Sequence, residues 1–202
     1  TLSGVAVTAG QSIAAADLTA GSLAFNPAGN ASGTGYASFN FQVQDDGGAA
    51  NSGADLDPTP NTITIDVTPV NDAPSGSDQT VHIGEDGAYV FSATDFGFSD
   101  PDDTPANALF AVAISTLPSA GSLTLSGVAV TAGQSVTAAD LTAGSLAFNP
   151  AGNASGTGYA SFNFQVQDDG GAANSGADLD PTPNTITIDV TPVNDAPSGS
   201  DQ

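Results

Sequence analysis

The side chains with chemistry to offer in this chain are carboxylates, and they come in groups. Glu85-Asp86, Asp95, the run Asp100-Pro101-Asp102-Asp103, Asp45-Asp46, Asp168-Asp169, Asp55 and Asp57 with their copies Asp178 and Asp180, and the pairs Asn71-Asp72 and Asn194-Asp195 all fall between apolar runs. Two carboxylates about 4 Å apart repel by about 4 kcal/mol at an effective dielectric near 20. The chain has 22 acidic residues, no Lys and no Arg, for a formal charge of −22, so no basic side chain offsets that repulsion. A hard divalent cation does, and Ca²⁺ takes six to eight oxygen ligands from carboxylates, Asn side chains and backbone carbonyls. The alternative is that Asp is simply a good turn residue on a solvated surface. The Asp-x-Asp spacing, in a chain without basic residues, favours Ca²⁺, although the spacing is not that of an EF-hand loop.

Other chemistries find little support. The one histidine, His82, sits between Val81 and Ile83 in a strand-like run; it reads as structural, and Ser-His-Asp catalysis needs an oriented histidine. Paired acids hydrolyse glycosides, but these lie in repeated turn segments with no aromatic cleft. No Gly-rich phosphate loop ending in Lys is present, and zero Cys removes disulfides, thiolate metal sites and cysteine nucleophiles together. The charge excludes a nucleic-acid binder, which needs basic residues to neutralise phosphate, and argues against anionic membranes. No run of about 18 apolar residues is present to span a bilayer. No catalytic residue and no organic cofactor is expected. Asn30-Ala31-Ser32 and Asn153-Ala154-Ser155 fit the N-glycosylation pattern, which makes Asn30 and Asn153 glycosylation candidates.

What positions these acids is a repeat. Residues 1–79 recur as 124–202 with two differences, Ile13 against Val136 and Ala14 against Thr137, a period of 123 residues. Residues 80–123 occur once. The chain thus reads as one full unit preceded by the back portion of another, a window on a tandem array that starts in mid-pattern at Thr1. Copying adds reach or multivalent surface and does nothing for a single catalytic site.

Period-2 alternation dominates each unit: Ala37, Phe39, Phe41 and Val43; Ile63, Ile65 and Val67; Val81 and Ile83; Phe110, Val112 and Ile114. Leu123 and Leu125, then Ser126-Gly127, then Val128 and Val130 read as a hairpin. One helical turn is expected at Thr137–Leu141 behind a Thr cap. Seven or eight short strands per 123 residues suit an antiparallel two-sheet sandwich. Phe25/Phe148, Phe39/Phe162 and Phe41/Phe164 are expected in the core. Leu, Ile, Val and Phe make up about 21% of the chain, near the composition of disordered chains, so patterning or bound cations must help hold it together.

Four motifs, taken in order, resemble a known family. Ile-Asp-Val-Thr-Pro-Val-Asn-Asp-Ala-Pro at 65–74 and 188–197 looks like the strand and linker that close a cadherin repeat. Ala93-Thr94-Asp95 followed by Ser99-Asp100-Pro101-Asp102-Asp103 resembles the second-strand acidic loop. Phe-Asn-Phe-Gln-Val-Gln-Asp-Asp-Gly-Gly at 39–48 and 162–171 resembles the penultimate strand. Ile83-Gly84-Glu85-Asp86-Gly87 resembles the acidic first-strand motif. Together they resemble the cadherin-like, immunoglobulin-like tandem repeats of large secreted bacterial (RTX-type) adhesins and surface proteins. The resemblance implies an all-β fold of tandem sandwiches with calcium-binding linkers. It divides the chain into 1–74, the C-terminal part of one repeat; 75–197, a complete repeat; and 198–202, the start of the next.

It also implies a ligand set. Asn71 and Asp72 would meet Asp100, Asp102, the neighbouring Asp103 and one of Asp168 or Asp169. At the other end of the repeat, Glu85 and Asp86 would meet Asn194 and Asp195, with further ligands on a following unit. The chain departs from animal cadherin linkers in carrying Pro69 and Pro192 where those have Asp two positions before the Asn, one carboxylate fewer at each linker. The expected function is a non-enzymatic extender at a bacterial surface, stiffened by Ca²⁺, whose partners are neighbouring repeats of the same chain or identical chains. A self-assembling fibre completed by strand addition and a carbohydrate-binding module with a glycan partner are the alternatives.

Overall fold

The computed structural model describes residues 1–199; of the stretch 198–202 expected to open a further repeat, 200–202 lie outside the described residues. The chain divides into two compact units, Thr1–Pro69 and Val70–Gln202.

Residues 1–69 hold a short helix α1 (Ala15–Thr19) and two strands, β1 (Gly33–Phe41) and β2 (Asn61–Val67), paired antiparallel with Ala37 opposite Ile65 and Phe39 opposite Ile63. Single bridges join Leu2 to Val5, Leu2 to Leu23 and Gln44 to Leu56. None of these 69 residues is buried.

The second unit is a two-sheet sandwich. Its strands are β3 (Gln79–Gly84), β4 (Tyr89–Val90), β5 (Leu109–Ile114), β6 (Ser122–Leu125), β7 (Val128–Ala129), β8 (Gln134–Thr137), β9 (Leu146–Asn149), β10 (Gly156–Asp168) and β11 (Asn184–Thr191). One sheet runs β3-β11-β10-β5-β8 and the other β4-β9-β6-β7. The pairs are antiparallel except β3 with β11, which is parallel. The expected alternation places Phe162, Phe164 and Val166 of β10 and Ile186 and Ile188 of β11 inward with no exposure. They meet Leu146 and Phe148 of the facing sheet, also fully buried, and Leu123. Phe91 and Phe96 close the core, edge-on to Phe162 and Phe164 at 5.5 and 4.9 Å between ring centroids.

Local signals fall where the sequence places them. Ser126 and Gly127 adopt positive φ (49° and 80°), the geometry of the two-residue hairpin turn between β6 and β7. The helical turn is α2 (Ala138–Thr142), capped reciprocally: Asp140 N–H donates to Thr137 Oγ1 at 3.1 Å, and Thr137 N–H donates to the Asp140 carboxylate at 3.1 Å. Two expectations are corrected. Phe25, Phe39 and Phe41, expected in the core with their copies Phe148, Phe162 and Phe164, are not buried, because residues 1–69 hold only the β1-β2 pair and no facing sheet. Phe110 is 52% exposed although it shares the apolar alternation with Val112 and Ile114. The register slips at this point: Gln167 pairs with Ala111 but Asp168 pairs with Leu109. Phe110 is the extra residue of a bulge and is turned off the core face.

Candidate metal centre

The site forms at the end of the second unit where β10 finishes and β5 begins. Leu179 bridges to Gln167, and Asp168 N–H donates to Asp178 O at 2.9 Å, which carries the β10 direction through Asp168. Ser75 and Ser99 exchange backbone hydrogen bonds at 2.8 Å each way, which fixes the start of the 100–108 loop. Asp100 and Asp168 are thereby buried, at 6% and 1% exposure.

Asn71 occupies the space between these elements. Its carbonyl accepts from Ala177 N–H at 3.0 Å. Its side-chain amide donates to Asp168 Oδ1 at 3.0 Å and to Ala177 O at 2.6 Å. Asn107 donates from its amide to Asn71 Oδ1. A Cβ at Gly170 would overlap the Asn71 and Asn107 side chains, so a larger residue there would push both from their positions. The next linker residue, Asp72, donates its N–H to Asp103 Oδ2 at 3.0 Å. Asp169 Oδ1 accepts from Ala108 N–H at 2.8 Å, and Asp100 Oδ2 accepts from Asn107 N–H at 2.6 Å.

Two features of the acids are costly. Asp100 Oδ1 is buried without a hydrogen-bond partner among the described residues. Burial above all pushes the Asp168 carboxyl up from its ordinary value. The Gly170 N–H, at 2.9 Å from Asp168 Oδ1, and the Asn71 amide pull it down, and the charges of Asp100 and Asp178 raise it again. A buried carboxylate without an opposite charge is expensive.

At the other end of the sandwich, Glu85 is buried at 7% exposure. Its carboxylate accepts from Val193 N–H at 2.8 Å, and its N–H donates to Thr191 O at 3.1 Å. Asn194 donates instead to Asp195 O at 3.2 Å. Asp86, Asp102, Asn194 and Asp195 are exposed. So are Asn30 and Asn153, which sit on turns with φ of 56° and 59°. His82, on an exposed face of β3, stands 3.4 Å from Asp189.

The structure therefore brings Asn71, Asp72, Asp100, Asp103 and Asp168 into one end of the sandwich. Among the described residues no three His, Cys, Asp or Glu side chains are gathered as a metal-ligating group; backbone N–H groups and Asn amides occupy several of the carboxylate oxygens instead. The donor chemistry nevertheless fits a hard cation. An unpartnered buried Asp100 oxygen, a buried Asp168 held above its ordinary pKa, and the Asn71 and Asn107 side chains lie together, and no basic residue is present. Sequence reading missed Asn107, which belongs to no acidic pair; its position at the close of the 100–106 loop is the signal. It also left Asp178 unassigned, whose carboxylate accepts from Gln167 Nε2 at 3.0 Å.

No helix among the described residues is long and apolar enough to cross a membrane. No curated protein and no solved structure gives a significant match to the chain. A family model described as cadherin-like matches residues 76–191, which is more than half of the chain and takes in the sandwich from before β3 to the end of β11. With its mostly β, two-sheet architecture, the chain belongs to the cadherin-like family, whose domains are structural, adhesion-type repeats, generally non-enzymatic and typically extracellular.

Proposed function

We propose that the chain is a structural extender of a long extracellular bacterial adhesin or surface protein, in which Ca²⁺ stiffens the succession of repeats. The observation that carries the reading is the partnerless buried Oδ1 of Asp100 beside the buried Asp168, in a chain without Lys or Arg. Asn71, Asp100 and Asp168 would hold the ion, with Asp72, Asp102, Asp103 and Asp169 around them. Glu85, Asp86, Asn194 and Asp195 would contribute to the corresponding site at the next linker. Ca²⁺ there would neutralise carboxylates that otherwise repel, and would tie linker and sandwich into one coordination shell.

The protein groups prepare this. The two hydrogen bonds between Asn71 and Ala177 seat Asn71 on the sandwich, and the reciprocal pair between Ser75 and Ser99 holds the chain that follows it. Glu85 does the same for the outgoing linker through Val193 N–H. Acidic side chains that repel when bare leave the segment beyond these anchors free to bend. Calcium titration followed by thermal melting and small-angle scattering, with and without chelator, tests the reading. A melting temperature that rises with Ca²⁺ and a scattering profile that changes on chelation are expected. Identical curves in both conditions remove it.

A further inference from the structure

The turn that joins β9 to β10 carries a pattern that the acidic end of the sandwich leaves unused. Asn153-Ala154-Ser155 is an acceptor for N-linked sugar, a side-chain amide followed two residues later by a hydroxyl. Ala154 N–H donates to Ala151 O at 3.2 Å, which closes a β-turn with Asn153 at its third position. Asn153 has a φ of 59° there, a value that Asn adopts more readily than most residues. The turn stands on a fixed base. Ala151 N–H donates to Tyr159 Oη at 3.1 Å, and Tyr159 packs edge-on against the buried Phe148, 6.4 Å between ring centroids. Residues 151–153 and 155–158 are exposed. No hydrogen bond among the described residues engages the side chain of Asn153 or of Ser155. The first unit builds the same turn: Ala31 N–H donates to Ala28 O at 3.3 Å, Ala28 N–H donates to Tyr36 Oη at 3.2 Å, and Asn30 has a φ of 56°. In the second unit Gly156 lies opposite Val190, so the turn stands at the end where the chain leaves β11 towards Asn194. The 13 residues of β10 separate it from Asp168, on the order of 40 Å along an extended strand.

We infer that Asn153, and through the same turn Asn30, is a site of covalent N-glycosylation whose donor is a glycosyl diphosphate. Asn153 Nδ2 forms a bond to the anomeric carbon of the sugar. The bond from that carbon to the phosphate oxygen breaks, the diphosphate leaves with the electron pair, and Nδ2 gives up one proton. The amide is offered at the tip of a turn whose base is pinned, so an enzyme reaches it on the folded chain without opening a strand. Domains of the cadherin-like family are typically extracellular, the setting in which this pattern marks a surface loop. The sugar adds no charge to a chain already at −22. It places neutral hydroxyl groups at the end of the sandwich that also carries the exposed Asp86, Asn194 and Asp195. The inference does not depend on calcium.

The test is mass spectrometry of the protein recovered from the cells that produce it. Cleavage before Asp releases residues 17–44 and 140–167, which are identical in sequence and hold Asn30 and Asn153. That fragment should carry the added mass of one or more hexose or N-acetylhexosamine units. Asn153→Gln gives residues 140–167 a mass of their own, and this fragment should lose the sugar while residues 17–44 keep it. Ser155→Ala leaves Asn153 and its turn in place and should produce the same loss, so the result does not rest on a Gln at positive φ. Recovery of the fragment at its unmodified mass alone overturns the inference. Sugar that stays on 140–167 in both variants also overturns it, since the attachment would then be to another Ser or Thr of that fragment.

Discussion

Phe39 and Phe162 sit in copies of one sequence that differ at two positions, and their neighbours on the paired strand, Ile63 and Ile186, are the same residue in the same register. Yet Phe162 is fully buried and Phe39 is 43% exposed. The local geometry of the two copies is nearly the same: φ is 48° at Ser3 and 49° at Ser126, 56° at both Asn51 and Asn174, and the hairpin registers match residue for residue. Gly35 N–H donates to Asp66 at 2.6 Å just as Gly158 N–H does to Asp189. Local sequence sets turns and pairing. Burial needs a second layer, and only the copy preceded by residues 80–123 has one.

The comparison can be broken most forcefully in the core. Phe162→Ala should destabilise the second unit by about 3–5 kcal/mol, whereas Phe39→Ala should change stability by less than about 0.5 kcal/mol. Denaturant unfolding read separately for the two units checks this, and equal effects would show that residues 1–69 are not open.

Next in size is the acidic end of the second unit, where Asp100 and Asp168 are buried and the counterpart of Asp168, Asp45, is exposed. Saturating Ca²⁺ at about 100 times its dissociation constant should add about 2.7 kcal/mol to the second unit. Asp100→Ala should abolish most of that gain. In chelator the same substitution removes the unpartnered buried Oδ1 but also the acceptor of the Asn107 N–H, so a cost of about 1 kcal/mol is expected. A calcium response undiminished by Asp100→Ala would place the ion elsewhere.

Thr137→Ala sharpens the comparison at one of its two differing positions. It deletes the cap of α2 and copies the state of α1, where Ala14 offers no side-chain acceptor. A loss of about 1 kcal/mol is expected by thermal melting. Ala14→Thr should leave the already exposed first unit close to unchanged.

The smallest effects are titrations. Asp168 has its folded pKa raised by burial. Its protonation therefore favours the fold: that contribution is complete below the unfolded value and is lost as pH rises through the folded one. Asp57 behaves oppositely. The Thr59 N–H at 3.0 Å, with help from Asn61, holds it below its ordinary value, so its contribution is present above the unfolded pKa and is lost as pH falls through the folded one. Carboxyl NMR in chelator should show Asp57 ionising before Asp168 as pH rises, and Ca²⁺ should move Asp168 down. The reverse order would contradict the burial of Asp168.

Much of the fold was legible in advance. The 123-residue period, the alternating strands, the Ser126-Gly127 hairpin and the Thr137 cap are all local, and local preferences decide them. The Phe110 bulge was not legible, because one residue out of register depends on the partner strand β10. The candidate site was legible as a set of acids and as an end of the sandwich, through Asn71, Asp72, Asp100, Asp103 and Asp168. Asn107 was not, since its role comes from where the 100–108 loop folds back.

By itself the sequence determined the repeat, the strand and turn pattern, and a concentration of negative charge with nothing basic to offset it. Those follow from residue types and short spacings. Tertiary structure decided which apolar faces are covered and which carboxylates lose water. Asp168 meets Asn71 across 97 residues of chain, and Ile188 is buried on the strand that takes Val81 as its parallel neighbour. Desolvation depends on distant segments arriving together, and near-identical residues with and without those segments differ for that reason alone.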